Sequence, residues 1–341
     1  MFELEKLVRK NILELKPYSS ARDEFSGKDG IFLDANENPF GELNRYPDPY
    51  QKELKSALSK VKGVNEQNIF IGNGSDEVID LVYRIFCNPG IDKSLSFTPT
   101  YGMYEVSANI NDVIYIKLPL NEYFQIDNES LTLLLKDEKL KLIFVCSPNN
   151  PTGNVLNNIE YLLENFNGIV VVDEAYADFC NLPSWSQKIN QFSNLIVMQT
   201  FSKARGLAGA RVGIAYASVQ IISLMNKVKP PYNVSALNQQ AALSALINSA
   251  IYEKQKKEIL EQRTLLETEL NKLNCIKKIY PSDANFILVE VCDANGIYEF
   301  LVSHKIITRN RNSVVRNCIR ITVGTAEENK QLIQTLKEFT A

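Results

Sequence analysis

The sequence predicts an α/β fold in which a large domain, built on a mainly parallel sheet flanked by helices, carries a smaller α+β domain. Three observations predict it. Short apolar runs alternate with helical stretches, which is the pattern of a parallel sheet with crossover helices. The run Gly168-Ile-Val-Val-Val172 is unbroken and β-branched, as in a strand buried on both faces. From Cys275 onward the character changes to strands and helices without a long parallel series, and 341 residues are ample for two domains.

Taken in order, residues 1–16 read as a helix, with Leu4, Leu7, Val8, Ile12 and Leu15 near helical spacing. Pro17 ends it. Residues 31–41, IFLDANENPFG, read as a short strand running into a loop rich in Asn, Glu and Pro, and Asn44-Arg-Tyr-Pro47 is a further loop. Residues 68–71 form a strand, followed by Gly72-Asn-Gly74-Ser75-Asp76-Glu77. A helix comes next, with Val78, Ile79, Val82, Ile85 and Phe86 on one face. Further strands are expected at 94–97, 113–118, 140–146, 168–172, 194–199 and 211–217. Polar residues cluster at their C-terminal ends, where such sheets bind ligands. Residues 235–273 form helix without internal Pro or Gly, long enough for one helix or two. Strands at 285–291 and 318–323, with helices at 295–303 and 327–339, complete the small domain. We expect an arm at 1–35 packed with the small domain, a large domain at 36–240, and a small domain at 241–341 that begins in the long linking helix.

The composition narrows the function classes. Net charge is −3 and 23% of residues are charged, so no basic surface for nucleic acid or an anionic membrane is expected. Any anion site must come from a local arginine cluster. No apolar run is long enough to span a bilayer, and the charged, amphipathic start lacks the apolar core of a signal peptide, so a cytoplasmic protein is expected. Six scattered cysteines form no CxxC pair and a single histidine, His304, excludes a histidine-rich centre, so no metal site is expected.

The chemistry concentrates in residues 198–213, MQTFSKARGLAGARVG. An apolar strand delivers Thr200 and Ser202, Lys203 follows at once, and Gly206, Gly209 and Arg211 come next. A lysine beside small hydroxyls, with an arginine eight positions on, suits a Schiff-base lysine next to a phosphate-bearing cofactor. The glycine loop at Gly74 and Ser75 opens a helix, whose N–H groups attract phosphate; the third glycine of a dinucleotide loop is missing, because Glu77 stands there. Asp173 ends an apolar strand, where an unpaired carboxylate is costly. Taken singly, Asp173 could cap a loop and Asn150 could serve only in a turn.

Together these segments resemble the fold-type-I aminotransferases that use pyridoxal phosphate (PLP), and among them the histidinol-phosphate branch. SPNNPTG (147–153), VVDEAY (171–176) and TFSKARGLAGARVG occur in that family's order. The resemblance implies a seven-stranded-type sheet and a homodimer with shared sites. It implies PLP bound by Gly74, Ser75, Asp76, Thr200, Ser202 and Arg211 around its phosphate, with Asp76 acting through its backbone. Tyr101 would cover the ring, Asn150 and Tyr176 would hold its phenolic oxygen, Asp173 would face its nitrogen, and Lys203 would bind its aldehyde and move protons. Tyr46 would reach the phosphate of the partner's cofactor. Substrate contacts would come from Tyr18, Asn36, Arg309 and Arg320, with L-histidinol phosphate and 2-oxoglutarate as the pair. An aromatic aminotransferase or a related phospho-amino-acid enzyme is the alternative. Arg309 and Arg311 could equally be solvated loop charges. Arg205 departs from the aromatic that family members often carry.

Overall fold

The computed structural model describes residues 3–18 and 30–339. Seven strands form the large sheet: β1 (Ile69–Asn73), β2 (Lys93–Thr98), β3 (Ile114–Pro119), β4 (Leu140–Cys146), β5 (Ile169–Asp173), β6 (Leu195–Thr200) and β7 (Val212–Ala217). Their order is β1-β7-β6-β5-β4-β2-β3, and only β7 runs against its neighbours.

The two faces of this sheet explain its apolar runs. Val170 and Val172 of β5, with Leu195 and Val197 of β6, point into one core. Ile169 and Val171, with Ile196 and Met198, point into the other. Side chains alternate along a strand, so burial on both faces requires every position to be apolar. The first core is closed by α3 (Lys52–Lys62), α6 (Ile159–Asn165) and α8 (Ala236–Ile247). The second is closed by α4 (Ser75–Phe86), α5 (Met103–Ile110) and α7 (Val219–Val228). The face read from sequence for α4 is the buried one: Val78, Ile79, Val82, Ile85 and Phe86 are all fully enclosed.

The small domain is a four-stranded antiparallel sheet ordered β10-β11-β9-β8, with β8 at Ile276–Ile279, β9 at Phe286–Val291, β10 at Arg309–Asn310 and β11 at Cys318–Thr322. Helices α9 (Ser249–Leu270), α10 (Ala294–Ser303) and α11 (Ala326–Glu338) cover it. Thr325 and Glu328 cap α11 reciprocally.

Several expectations need correction. The helix expected over 1–16 is two short turns, α1 (Leu4–Leu7) and α2 (Lys10–Leu13), and Val8 and Ile12 pack into the large domain's second core. Arg9 N–H donates to the Ile85 carbonyl and Lys227 Nζ to that of Leu13, so this arm is tied to α4 and α7 rather than to the small domain. Residues 31–33 are irregular rather than a strand, and the 91% and 88% exposure of Ile31 and Leu33 shows that no strand lies over them. The helical stretch 235–273 breaks at Asn248, which ends α8 and precedes α9. The boundary expected at residue 241 falls inside α8, whose Ala242 and Leu246 pack on the large domain. Ser19 to Arg22, beside Tyr18, lie outside the described residues.

One close approach fixes the start of α4. Gly213 of β7 faces the turn before α4, and a Cβ there would meet Gly74 C and Ser75 N at 2.3 Å. Backbone cannot yield as a side-chain tip can. We therefore expect Gly213→Ala to lose about 1–3 kcal/mol or more. Gly209→Ala, with nothing within 4 Å, should stay within about 0.5 kcal/mol of the parent. Denaturant midpoints of the two variants check this, and equal midpoints would show that the turn is free to move.

Candidate active site

The C-terminal ends of β4, β5 and β6 bring together most of the residues singled out in the sequence. Asp173 ends β5 with only 3% of its surface exposed. Its Oδ1 accepts from the Ala175 N–H at 3.0 Å and its Oδ2 from the Tyr104 hydroxyl at 2.7 Å. Burial raises its pKa, and the Tyr104 and Ala175 hydrogen bonds work against that rise. No side-chain ion pair to this carboxylate occurs among the described residues, so the site itself leaves its charge to be balanced by something that enters.

The start of α4 supplies a second part. Gly74 has φ +79°, a conformation that favours glycine, and a Cβ there would meet Arg211 Nη2 at 2.6 Å. The turn thereby brings the start of α4 close beside a guanidinium. Arg211 is held there by Asp76 Oδ2 at 3.1 Å and by the Ser202 hydroxyl at 3.4 Å. Thr200 accepts from the Ser202 N–H. Helix N–H groups, two hydroxyls and a guanidinium make a donor set suited to a phosphate.

Lys203 stands in the loop after β6, its ammonium 5.5 Å from the centroid of the Tyr176 ring. It is open to the cleft, yet enough protein surrounds its amine that desolvation, and then the charge of Arg320, lower its pKa. Asp173 opposes that lowering, by less than burial and Arg320 promote it. Tyr101 sits on the opposite wall, its hydroxyl donating to Asp76 Oδ1 at 3.1 Å. Asn150 is buried and its Oδ1 accepts from Arg320. Tyr176 is buried edge-on against Phe286 at 5.0 Å.

Two cavities meet here. One of about 120 Å³ is lined by Ser75, Asp76, Asp173, Thr200, Ser202 and Arg211. The other, about 980 Å³, is lined on one side by Arg309, Arg311 and Arg320. Tyr101, Asn150, Tyr176 and Lys203 line both.

Three of the expected site residues are not in this cleft. Asn36, with φ 54°, and Tyr46 line a separate cavity with Arg45 and Leu237, and Tyr46 stacks on Tyr232 at 4.4 Å. Tyr18 lies beside Tyr50 and Lys229 and is 69% exposed.

Sequence reasoning passed over Tyr104, which the fold brings in, and left Arg311 between a site role and a solvated loop. Tyr104 follows Tyr101 at a helical interval, a spacing that could have marked it as a neighbour of the same site. Arg311 follows Arg309 by two, so an extended chain turns both to one face. Arg311 and Arg320 each keep a buried Nε without a hydrogen-bond partner, which favours an anion over the solvated-loop reading. The direction of Arg205, open in the sequence, is toward the α8–α9 joint: its guanidinium lies 3.6 Å over the Tyr252 ring and donates to the Ala245 carbonyl.

Comparison with known proteins agrees with this geometry. Residues 28–336 match the family described as aminotransferase class I and II. A histidinol-phosphate aminotransferase of Cytophaga hutchinsonii is 50% identical over 347 residues, covering 99% of each chain. One from Bacteroides thetaiotaomicron is 52% identical over 345 residues, again covering 99% of each. The fold is that of a solved histidinol-phosphate aminotransferase from Sinorhizobium meliloti in complex with pyridoxal-5'-phosphate. That match has a TM-score of 0.79 and 24% identity, over 87% of this chain and 83% of that one.

The environment of Lys203 makes its titration testable. Burial and Arg320 both favour the neutral amine, so Lys203 should react with an acylating reagent at lower pH than free lysine does. Replacing Arg320 by Met removes a positive charge and should move that reactivity to higher pH. Peptide mass mapping across a pH series reads both, and an Arg320→Met profile that overlays the parent would remove Arg320 as a cause.

Proposed function

The chain belongs to the class I and II aminotransferases, and from that premise we propose that it exchanges an amino group between L-histidinol phosphate and 2-oxoglutarate, with PLP in the smaller cavity. The observation that carries the reading is the position of Lys203 at the junction of the phosphate-suited cavity and the arginine-lined one. Relatives bearing the histidinol-phosphate aminotransferase name over nearly the whole chain support it.

The residues present fit the cofactor. Asp173 has burial without an ionic partner, which a protonated ring nitrogen would offset. The α4 start, Thr200, Ser202 and Arg211 suit its phosphate. Bound there, PLP would supply a carbonyl for amine exchange and a ring that accepts electrons. Arg320 takes the oxygen of Asn150, which leaves the Asn150 amide N–H groups to donate to a phenolic oxygen beside Tyr176. Tyr101, which lines both cavities, would cover the ring face. Lys203, whose neutral amine is favoured by burial and by Arg320, would carry a proton to and from a substrate carbon. Arg320 would hold a substrate carboxylate, and Arg309 with Arg311 the dianionic phosphate.

Asn36 and Tyr46 are remote from Lys203 within one chain, and we propose that they complete the site of a partner subunit in a homodimer. The surface around them supports this: Ile31, Leu33, Phe40, Leu43 and Leu237 are all large, apolar and more than half exposed. Tyr18 would approach substrate in the same assembly.

Adding histidinol phosphate alone to the PLP-loaded protein should convert the cofactor's visible absorption to that of its amine form. Arg309→Ala should weaken this half-reaction far more than the one driven by glutamate. A spectrum that responds to glutamate but not to histidinol phosphate would overturn the substrate and leave the aminotransferase reading intact. For the shared site, Lys203→Ala and Tyr46→Ala homodimers should each be inactive or nearly so, while mixed and re-equilibrated chains should regain roughly a quarter of parental activity, because half the dimers then hold one intact site. Absence of regain with confirmed subunit exchange would place Tyr46 outside the site.

A further inference from the structure

Behind Asp173 lies a column of buried phenols. Tyr104 of α5 is fully enclosed, and its ring stacks on Phe144 at 4.7 Å. Its hydroxyl points at Asp173 Oδ2, 2.7 Å away. The helix start that carries it is itself pinned: Tyr83, also fully buried, donates to the Tyr104 carbonyl at 2.9 Å and lies 3.0 Å from the Ser94 hydroxyl. Packing and backbone contacts thus fix the Tyr104 ring and the position of its phenolic oxygen independently of Asp173.

A fixed donor constrains an acceptor more than a mobile one does. With Oδ2 taken by Tyr104 and Oδ1 by Ala175, the carboxylate plane of Asp173 has one orientation. A phenol can give its proton to a carboxylate as a hydrogen bond. Toward a protonated carboxyl it can do so only at the oxygen that lacks the proton. The arrangement therefore favours the ionised acid, in a site whose burial disfavours it. We propose that Tyr104 is a positioning residue that keeps Asp173 ionised and aimed into the cleft.

The other titratable groups facing this pair are few. Tyr101 and Tyr176 line the cleft, Cys146 of β4 lies beside Tyr104, Lys203 and Asp76 approach from the loop after β6 and from α4, and Arg211 lines the same cavity. Lys203 stabilises the Asp173 charge, less than Tyr104 does, and Asp76 opposes it.

The test reads the carboxyl directly in the protein without cofactor, so it stands or falls apart from the PLP reading. Carbon-13 labelling of aspartate, with Asp173→Asn to identify the signal, gives the protonation midpoint of Asp173. In Tyr104→Phe that midpoint should rise by about one pH unit, the scale of one lost charge-assisted hydrogen bond. Tyr216→Phe, which also removes a fully buried hydroxyl but from the core on the other face of the sheet, should leave it in place. Placing 3-fluorotyrosine at position 104 keeps the shape and strengthens the donor, so the midpoint should fall; this variant decides the matter if Tyr104→Phe does not fold. An unmoved midpoint in the fluorinated protein, or an equal rise in Tyr216→Phe and Tyr104→Phe, would reduce Tyr104 to a core aromatic and overturn the proposal.

Discussion

The arrangement depends on a carboxylate placed where a charge is expensive. Asp173 ends a strand whose four preceding residues are completely buried, and it is almost as buried itself. Such a group persists only with hydrogen bonds and an opposite charge to answer it. The structure supplies the hydrogen bonds from Tyr104 and Ala175 and leaves the charge largely unanswered. The rest of the cleft is arranged around that vacancy of charge: an amine with a lowered pKa on one side, and a helix start with a guanidinium at the far end. A molecule with a cationic ring nitrogen, a reactive carbonyl and a phosphate meets all three demands at once.

The parts legible in the sequence were those written in local pattern. The centre of the large sheet follows from runs such as GIVVV, because burial on both faces of β5 leaves apolar residues at every position up to Asp173, whereas β2 and β3 carry Ser and Lys. The helix after Gly74 follows from its apolar face. The lysine segment was legible because hydroxyl, amine, glycine and arginine all serve one function within one short loop. Tyr104 was not legible in the same way. Nothing in PTYGMY distinguishes a tyrosine that covers the cleft from one that supports Asp173 from behind; the fold decides it by burying one more deeply than the other. The packing of the N-terminal arm was also hidden, since an amphipathic stripe states that a helix is covered but not by what. The two-residue strand β10 is too short to leave a period, yet it sets Arg309 opposite Arg320.

Charge distribution shows the same division between global and local. The chain is slightly acidic, so it has no general attraction for anions. Three arginines on one wall of the larger cavity create a local exception, and the unpaired Nε groups of Arg311 and Arg320 mark where it is strongest. An arginine cluster of this kind costs stability when empty, through mutual repulsion and burial. The lowered pKa values of Arg311 and Arg320 express that cost. An anion bound at this wall would offset it.

Where these arginines sit depends on how the two domains meet. Tyr176, Phe179 and Ala204 of the large domain pack with Tyr252, Ala284 and Phe286 in a small apolar core at the joint. Ala204 is next to Lys203 in the chain, and Phe286 lies under the Arg320 guanidinium. Arg205 stacks on Tyr252 just after the break between α8 and α9. The amine and the arginine wall are therefore both anchored in one packed cluster. A change in the angle between domains must act on that cluster, and with it on the spacing between Lys203 and Arg320. Binding at the arginine wall and positioning of the amine are in this way two readings of one contact.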